Sequence, residues 1–475
     1  MYPRTIAFCI CLILTTFLFL PRAVLAANKL SLSQYLEEVK TAHGGFRAAE
    51  ERVHAAEDRQ GQGTLLFLPK LSVGGNSTRD EKEQSFAAAY GDRTIHHSAT
   101  VSLQENTPVG LSASVSHMQE FTSLHGVDPL IIPQNQFHVG ASTLALSQSL
   151  WRNGFGRESR AERDLLNATD AGTRASEKAN LQAILYQAEA AYWKFWLMQH
   201  TAEIEQNRLR RGNALLNSMQ DKLARHLIDD ADLQQARAAR AARELATQIA
   251  ESDSKVAAYE FNRWRGIETN VVSETLATPQ NAGVATPADS LTSLATQAIL
   301  QNQKAAAAAN VLNAEKLKPE LNLFTSATLN HLDSKLSDSL LDLGNTNHPT
   351  LTVGIWFSMP LALFKSQKVA SAYKQTSDSY ATEQKQNLLD DRQEEKILTQ
   401  KVSDNQNHNR MAEQVLEAQR ERVRAEKIRY DSGRSTLMEL IQSEDDLATA
   451  EITVAQLRVN RLLLLATKRY RGDTQ

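Results

Sequence analysis

Hydrophobic residues in the last quarter of the chain follow a helical period. After Gly433, apolar side chains recur at steps of three and four, at Leu447, Ala450, Val454, Leu457 and Leu464. This spacing is typical of a coiled-coil seam. Gly433 is the only glycine between Pro360 and Gly472, and a glycine inside a helix costs about 1 kcal/mol relative to alanine. The pattern therefore predicts two long helices that meet in a tight reversal, with Gly433 as the left-handed residue that closes the first.

A weaker copy of the same stretch occurs earlier in the chain. When Lys222–Ile228 is laid over the later reversal, His226 falls opposite Gly433 and Leu233 falls opposite Leu440. Both copies continue as helical sequence and end in Arg-Gly after nearly the same distance. The chain therefore reads as a tandem repeat of one large unit.

Each copy also contains segments of alternating apolar and Ser/Thr residues. In the first copy, Ala99, Val101 and Leu103 alternate with serine and threonine. Segments of about ten residues with one apolar and one polar face suit a membrane barrel, although the edge of a soluble β-sandwich shows the same alternation. We favour the barrel, because the strands are few and lie between such long helices.

These patterns predict a mainly α-helical fold with β-strands, built from long antiparallel coiled-coil hairpins and membrane strands. The predicted segments are a signal peptide (1–26), a first repeat (27–267), a linker (268–290) and a second repeat (291–475). The first repeat has an N-terminal helix, strands in 71–148 and a helical hairpin at 157–265. The second repeat has a helix, strands in 320–359 and a helical hairpin at 363–470.

Composition narrows the class of protein. Arg4, the apolar run 6–20 and the small residues before Ala27 are typical of a secretory signal. Cys9 and Cys11 both lie in this segment, so the mature chain is expected to have no thiol chemistry. The net charge of −3 gives no sign of nucleic-acid binding. Because no nucleophile–base pair, phosphate loop or metal-ligand spacing occurs, we expect a non-enzyme without a metal or cofactor.

Taken together, these features resemble the TolC-like outer-membrane factors, the exit ducts of bacterial drug-efflux and type I secretion systems. The resemblance covers essentially the whole mature chain. It depends on the signal segment, the two repeats, the pre-strand prolines Pro69 and Pro319, the motif Arg429-Tyr430-x-x-Gly433 and the following Leu440-x-x-x-Glu444-x-x-Leu447. It implies a homotrimer in outer-membrane lipid, in which strands of three chains share one barrel above a periplasmic helical tunnel. It also implies a periplasmic adaptor and an inner-membrane transporter as partners.

The family's gate positions can be carried over by the same resemblance. Tyr430 and Asp232 match a tyrosine and an aspartate that hydrogen-bond across neighbouring coils and hold the entrance closed. Glu439 matches the first of two acidic positions that ring the constriction, while Gln442 stands where the second would be. A ring of three glutamates favours cations, and the loss of the second acid weakens this preference.

Two residues and one pair of strands depart from the family pattern. His226 replaces the usual glycine of the first reversal, which predicts a different shape there. Ser435 stands where some members have an arginine in the gate network. The predicted strands 97–104 and 110–120 form a surplus hairpin, since most members contribute four strands per chain. Either this hairpin joins the wall, or it rises outside the membrane as part of an external loop.

A rival interpretation of the whole chain is a periplasmic or secreted coiled-coil structural protein. In that case the strands would form a small soluble β-sheet.

Overall fold

A computed structural model describes residues 29–279, 293–341, 346–359, 361 and 363–471. The predicted signal segment and residues 280–290 of the predicted linker lie outside these ranges. The helices are α1 (Leu32–Ala42), α2 (Gly44–Asp58), α3 (Ala87–Tyr90), α4 (Arg157–Ala224), α5 (Asp230–Trp264), α6 (Leu294–Lys316), α7 (Leu336–Leu341), α8 (Leu363–Asp431) and α9 (Leu437–Arg471). The strands are β1 (Lys29–Leu30), β2 (Lys70–Asp80), β3 (Arg93–Asn106), β4 (Leu111–His125), β5 (Gln136–Ser149), β6 (Thr275–Leu276), β7 (Glu320–Asp333) and β8 (Pro349–Ser358).

Two helices dominate the fold. Helix α4 has 68 residues and α8 has 69, so each is about 100 Å long at 1.5 Å per residue. The second half of α4 packs against α5, its first half packs against α6, and α8 packs against α9. Within the described residues, none of the helices has both the length and the apolar character needed to cross a membrane. The long antiparallel helical hairpins expected from the sequence are confirmed.

Six strands form one antiparallel sheet in the order β2-β3-β4-β5-β7-β8. Every neighbouring pair is antiparallel, and β3 pairs with β2 over residues 94–104 on one side and with β4 along its whole length on the other. The surplus hairpin therefore lies inside the sheet, and its strands are longer than the sequence predicted. This sheet, together with the helices, confirms the predicted fold class of a mainly helical chain with antiparallel strands.

An aromatic core joins the two ends of the first repeat near the middle of the helices. The rings of Tyr35 and Phe261 stack at 4.5 Å, and the Tyr35 hydroxyl donates to the Phe261 carbonyl at 3.0 Å. The Tyr192 hydroxyl donates to the Leu30 carbonyl at 2.7 Å, beside the parallel pair β1 and β6. Burial raises the pKa of Tyr35 far above its usual value. The segments before α1 and after α5 are thus held against the middle of α4.

Candidate functional site

The two helical hairpins reverse with the same backbone geometry. His226 and Gly433 both adopt left-handed conformations, with φ of 58° and 69°. In each turn, the N–H of the residue after the left-handed one donates to the carbonyl five residues before it. The Leu227 N–H bonds the Lys222 carbonyl at 2.9 Å, and the Arg434 N–H bonds the Arg429 carbonyl at 2.8 Å. This is the bond that closes a Schellman motif. The expected difference in shape at His226 is therefore absent from the backbone.

The tips of the two hairpins share one apolar cluster. Its buried members are Met219, Leu233, Ala236, Leu437 and Ile441. Tyr430, from the last turn of α8, packs against this cluster, and its hydroxyl lies 3.3 Å from the Met219 sulfur. The Lys222 ammonium lies 4.5 Å from the centre of the tyrosine ring. Because a thioether is a weak acceptor, the Tyr430 hydroxyl keeps the capacity to bond a better partner.

Asp232 lies in the first turn of α5. Within the described part of the chain, its carboxylate makes no hydrogen bond and no ion pair, and no bond joins it to Tyr430. A carboxylate in the first turn of a helix is stabilised by the helix dipole. The structure therefore presents both predicted gate groups without joining them within one chain.

Glu439 caps the start of α9. Its Oε2 accepts from the Thr436 N–H at 2.9 Å and from the Ser435 hydroxyl at 2.9 Å, while its own N–H donates to the Thr436 hydroxyl at 3.3 Å. This reciprocal arrangement is a capping box. The Thr436 N–H, followed by the Ser435 hydroxyl, lowers the pKa of Glu439 below its usual value. Ser435 also bonds Glu426, so the residue that departs from the family pattern joins α8 to α9.

Gln442 lies one turn beyond Glu439 on the same exposed side of α9. Its amide donates to Asp446 at 2.7 Å, and Asp446 also pairs with Arg422 of α8 at 2.7 Å. Spacing alone did not single out Asp446. Asp446 could have been found from its place four residues after Gln442, because residues four apart are neighbours on one face of a helix.

A buried network of charges, which sequence reasoning missed, lies beyond the tip cluster. Arg243 of α5 is 1% exposed and donates to Glu444 at 2.9 Å and to Asp445 at 3.0 Å, both on α9. Arg208 of α4 also donates to Asp445, at 3.0 Å. Gly212 leaves room for the Arg243 side chain, because an added Cβ would lie 3.1 Å from its Cδ. The network ties three helices together and pairs the buried charge of Arg243, which would be costly to leave without a partner.

The two faces of the six-stranded sheet differ in chemistry. One cross-strand row, which defines the apolar face, consists of Leu71, Leu103, Val115, Leu144, Ala327 and Leu351. The next row, which defines the polar face, consists of Ser72, Ser102, Ser116, Thr143, Thr328 and Thr350. On the apolar face Leu351 and Val353 are each 76% exposed, whereas on the polar face Thr143 and Thr328 hydrogen-bond at 2.9 Å. A soluble monomer rarely exposes so continuous an apolar surface.

Comparison with solved structures identifies the fold. The outer membrane protein VceC of Vibrio cholerae matches with a TM-score of 0.64 and 15% identity, over 93% of this chain and 97% of that one. The CmeC outer membrane channel of Campylobacter jejuni matches with a TM-score of 0.63 and 11% identity, over 94% and 86%. The MtrE outer membrane channel of Neisseria gonorrhoeae matches with a TM-score of 0.59 and 14% identity, over 93% and 89%.

By contrast, no family model and no curated protein matches the sequence. At 11–15% identity, the likeness lies in the arrangement of helices and strands. It nevertheless extends over almost the whole length of each chain, from the sheet to the hairpin tips. The resemblance stated from the sequence is confirmed at the level of the fold: the chain has the fold of the TolC-like outer-membrane channels.

Proposed function

We propose that this protein is a subunit of an outer-membrane channel with a helical tunnel in the periplasm. The observation that carries the proposal is the exposed apolar face of the sheet, which faces away from a Ser/Thr-rich polar face. Such a sheet suits lipid on one side and water on the other. The rival structural protein with a soluble sheet would have to leave this apolar surface in water, which is unfavourable.

Three copies per channel are proposed because one chain leaves both its sheet and its helices incomplete. The outer edges of β2 and β8 have no partner strand within the described residues, and unpaired strand edges are not tolerated in lipid. On α5, Leu245, Ile249 and Val256 form a stripe of side chains that are each more than half exposed. A stripe at this helical spacing is suited to packing against a neighbouring copy.

The channel would act as a passive exit, without catalysis or cofactor, for a tripartite efflux pump or a type I secretion system. In that role it would be joined by a periplasmic adaptor and an inner-membrane transporter. Support comes from the shared fold and from the long tunnel helices, whose length of about 100 Å would carry the entrance deep into the periplasm. The two hairpin tips, where all four tunnel helices end, are the natural docking point for such partners.

The tips are also the proposed gate. The free Asp232 carboxylate and the weakly bonded Tyr430 hydroxyl would form a hydrogen bond between neighbouring coils of different copies. Glu439 would place one negative charge per copy at the constriction, because its capping bonds fix the carboxylate at the first turn of α9. His226 and Gly433 would form the rim, since both close the reversals with the same geometry.

A matched pair of substitutions on β8 tests the proposal. Val353→Lys places a charge on the apolar face, where lysine near the bilayer midplane costs about 2–4 kcal/mol. Thr352→Lys places the same charge on the polar face, one residue away. We expect Thr352→Lys to fractionate with outer membranes and to give conductance steps in planar bilayers, and Val353→Lys to be depleted from both. Equal recovery of the two variants, or native protein that is soluble and gives no conductance, would refute the channel.

A further inference from the structure

We infer that each copy contributes all six strands to the wall, with β2 of one copy paired to β8 of the next. This inference depends on the proposed trimeric channel. Three copies of the six-stranded sheet would close a wall of 18 strands, whereas the family pattern of four strands would give 12. Barrel diameter grows roughly in proportion to strand number, so the outer opening would be about 1.5 times as wide.

The rows across the sheet show that the β3–β4 hairpin belongs to the wall. In the row that defines the apolar face, Leu103 and Val115 of the hairpin continue the line from Leu71 on β2 to Leu144 on β5. Leu103 is 49% and Val115 is 57% exposed, close to the 50% of Leu144. A one-residue slip of either hairpin strand would turn its whole apolar set to the other face. The hairpin is therefore in the register that a shared lipid-facing surface requires.

The turn of the hairpin is fastened to the junction between sheet and tunnel. Arg160 of α4 donates to the Pro108 carbonyl at 2.9 Å, and the Gln148 amide donates to the Val109 carbonyl at 3.1 Å. Gly110 and Gly156 face each other so closely that a Cβ on Gly156 would lie 1.9 Å from the Pro108 oxygen. A hairpin that rose from an external loop could not dock at this end of the sheet. The docked turn therefore excludes that alternative for the chain as it is folded here.

The free edges of the sheet are compatible with closure between copies. Strand β2 leads away from the helices and β8 returns to them, so the two edges meet antiparallel when copies are arranged in a ring. Both edges carry exposed apolar residues on the apolar face, with Val73 at 74% and Val353 at 76%. Each chain supplies an even number of strands, which keeps neighbouring strands antiparallel around the whole wall. A second copy of this chain is thus the partner that fits each edge.

Single cysteines on adjacent positions of β3 test the inference, in a background with Cys9→Ala and Cys11→Ala. Thr100→Cys lies on the polar face and Val101→Cys on the apolar face. Thr143→Cys and Leu144→Cys are the matched pair on β5, a strand that would lie in the wall under either alternative. The protein is labelled in outer-membrane vesicles with a hydrophilic maleimide and, separately, with an apolar maleimide that partitions into lipid.

We expect the hydrophilic reagent to label Thr100→Cys at least tenfold faster than Val101→Cys, and the apolar reagent to label Val101→Cys as it labels Leu144→Cys. If the hydrophilic reagent labels both β3 positions while Leu144→Cys stays protected, the six-stranded wall is wrong and the channel stands. If Leu144→Cys is also labelled by the hydrophilic reagent, the sheet is not in lipid, and both the inference and the proposed function fail.

The pairing of β2 with β8 has its own test. Val73→Cys is combined in turn with Leu351→Cys, Val353→Cys and Ile355→Cys, all on the apolar face, and the protein is oxidised. At least one combination should give a covalent product of two or three chains. The control Val73→Cys with Val101→Cys joins directly opposed residues of one chain and should give no such product. Oxidation that yields no product between chains in any combination would overturn the edge pairing.

Discussion

Replacing Arg243 by methionine should both destabilise the protein and open its entrance. Arg243 is buried and is bonded to Glu444 and Asp445 of α9. Removing one partner of a buried ion pair costs about 3–5 kcal/mol, because the other charge is left without compensation. Here Arg208 still bonds Asp445 and Arg211 lies 3.9 Å from Glu444, so we expect the low end, about 3 kcal/mol. Methionine keeps most of the side-chain volume of arginine, so the loss of stability reports mainly the removal of the charge rather than the loss of packing.

The control is Arg240→Met, three residues away on the same helix. Arg240 pairs at 2.7 Å with Glu244, and both side chains are more than a third exposed. An exposed pair of this kind is worth about 0.3–0.5 kcal/mol. Thermal loss of the helical circular dichroism signal, recorded in the same detergent for both variants, should therefore show a large decrease in midpoint for Arg243→Met and a small one for Arg240→Met.

A second substitution distinguishes buried charge from lost contact. Adding Glu444→Gln to Arg243→Met removes the carboxylate that loses its nearest basic partner in the first change, so the double variant should be more stable than Arg243→Met alone. In planar bilayers, Arg243→Met should also show higher conductance, because the network joins α9 to the hairpin α4–α5 just behind the proposed gate. The reasoning is refuted if Arg240→Met is as damaging as Arg243→Met, or if the double variant is the least stable of the three.

Three further predictions concern the gate and the sheet–tunnel junction. Tyr430→Phe combined with Asp232→Ala should raise single-channel conductance, and an unchanged conductance would remove both residues from the gate. Glu439→Gln should lower cation preference, measured as a shift of reversal potential in a salt gradient. In the native protein, hydrogen bonds from the Thr436 N–H and the Ser435 hydroxyl lower the pKa of Glu439. The cation preference should therefore persist at pH 5 and disappear only as the pH falls through this lowered pKa. A loss of cation preference near pH 6 would contradict the assignment of Glu439 to the constriction. Gly156→Ala should impair assembly because its Cβ would meet the Pro108 carbonyl, whereas Gly154→Ala, whose Cβ meets nothing within 4 Å, should assemble normally.

Periodicity was sufficient to predict the elements that repeat one pattern over a long stretch. The coiled-coil steps after Gly433 and the Ser/Thr alternation around Val101 lead directly to the observed hairpins and strands, because each pattern fixes which side of an element is buried. Strand ends were predicted less well, since β3 begins at Arg93 and β4 ends at His125. Towards these strand ends the apolar face also carries polar residues such as His97 and His117. The alternation of apolar and polar residues therefore fades there, while the backbone pairing continues.

The buried charges and the shape of the first reversal were not predictable in the same way. Arg243 lies in a sequence rich in exposed arginine and alanine, and nothing local distinguishes it from Arg240. Only the packing of α5 against α4 and α9, with Gly212 leaving room for the side chain, makes Arg243 buried and leaves Arg240 partly exposed. At His226, the hydrogen bond from Leu227 to Lys222 holds a left-handed conformation that is uncommon for residues other than glycine.

The charge at the proposed constriction follows from two neighbours on one helix face. Gln442 removes the second acid of the family pattern, and Asp446 restores a carboxylate one turn further along α9. However, Asp446 is paired at 2.7 Å with Arg422, so its charge is largely compensated before any ion reaches it. Glu439 has no basic partner at comparable distance among the described residues and keeps its charge through its capping bonds. Each copy would therefore present one effective negative charge rather than two, and a ring of three such charges favours cations less strongly than a ring of six.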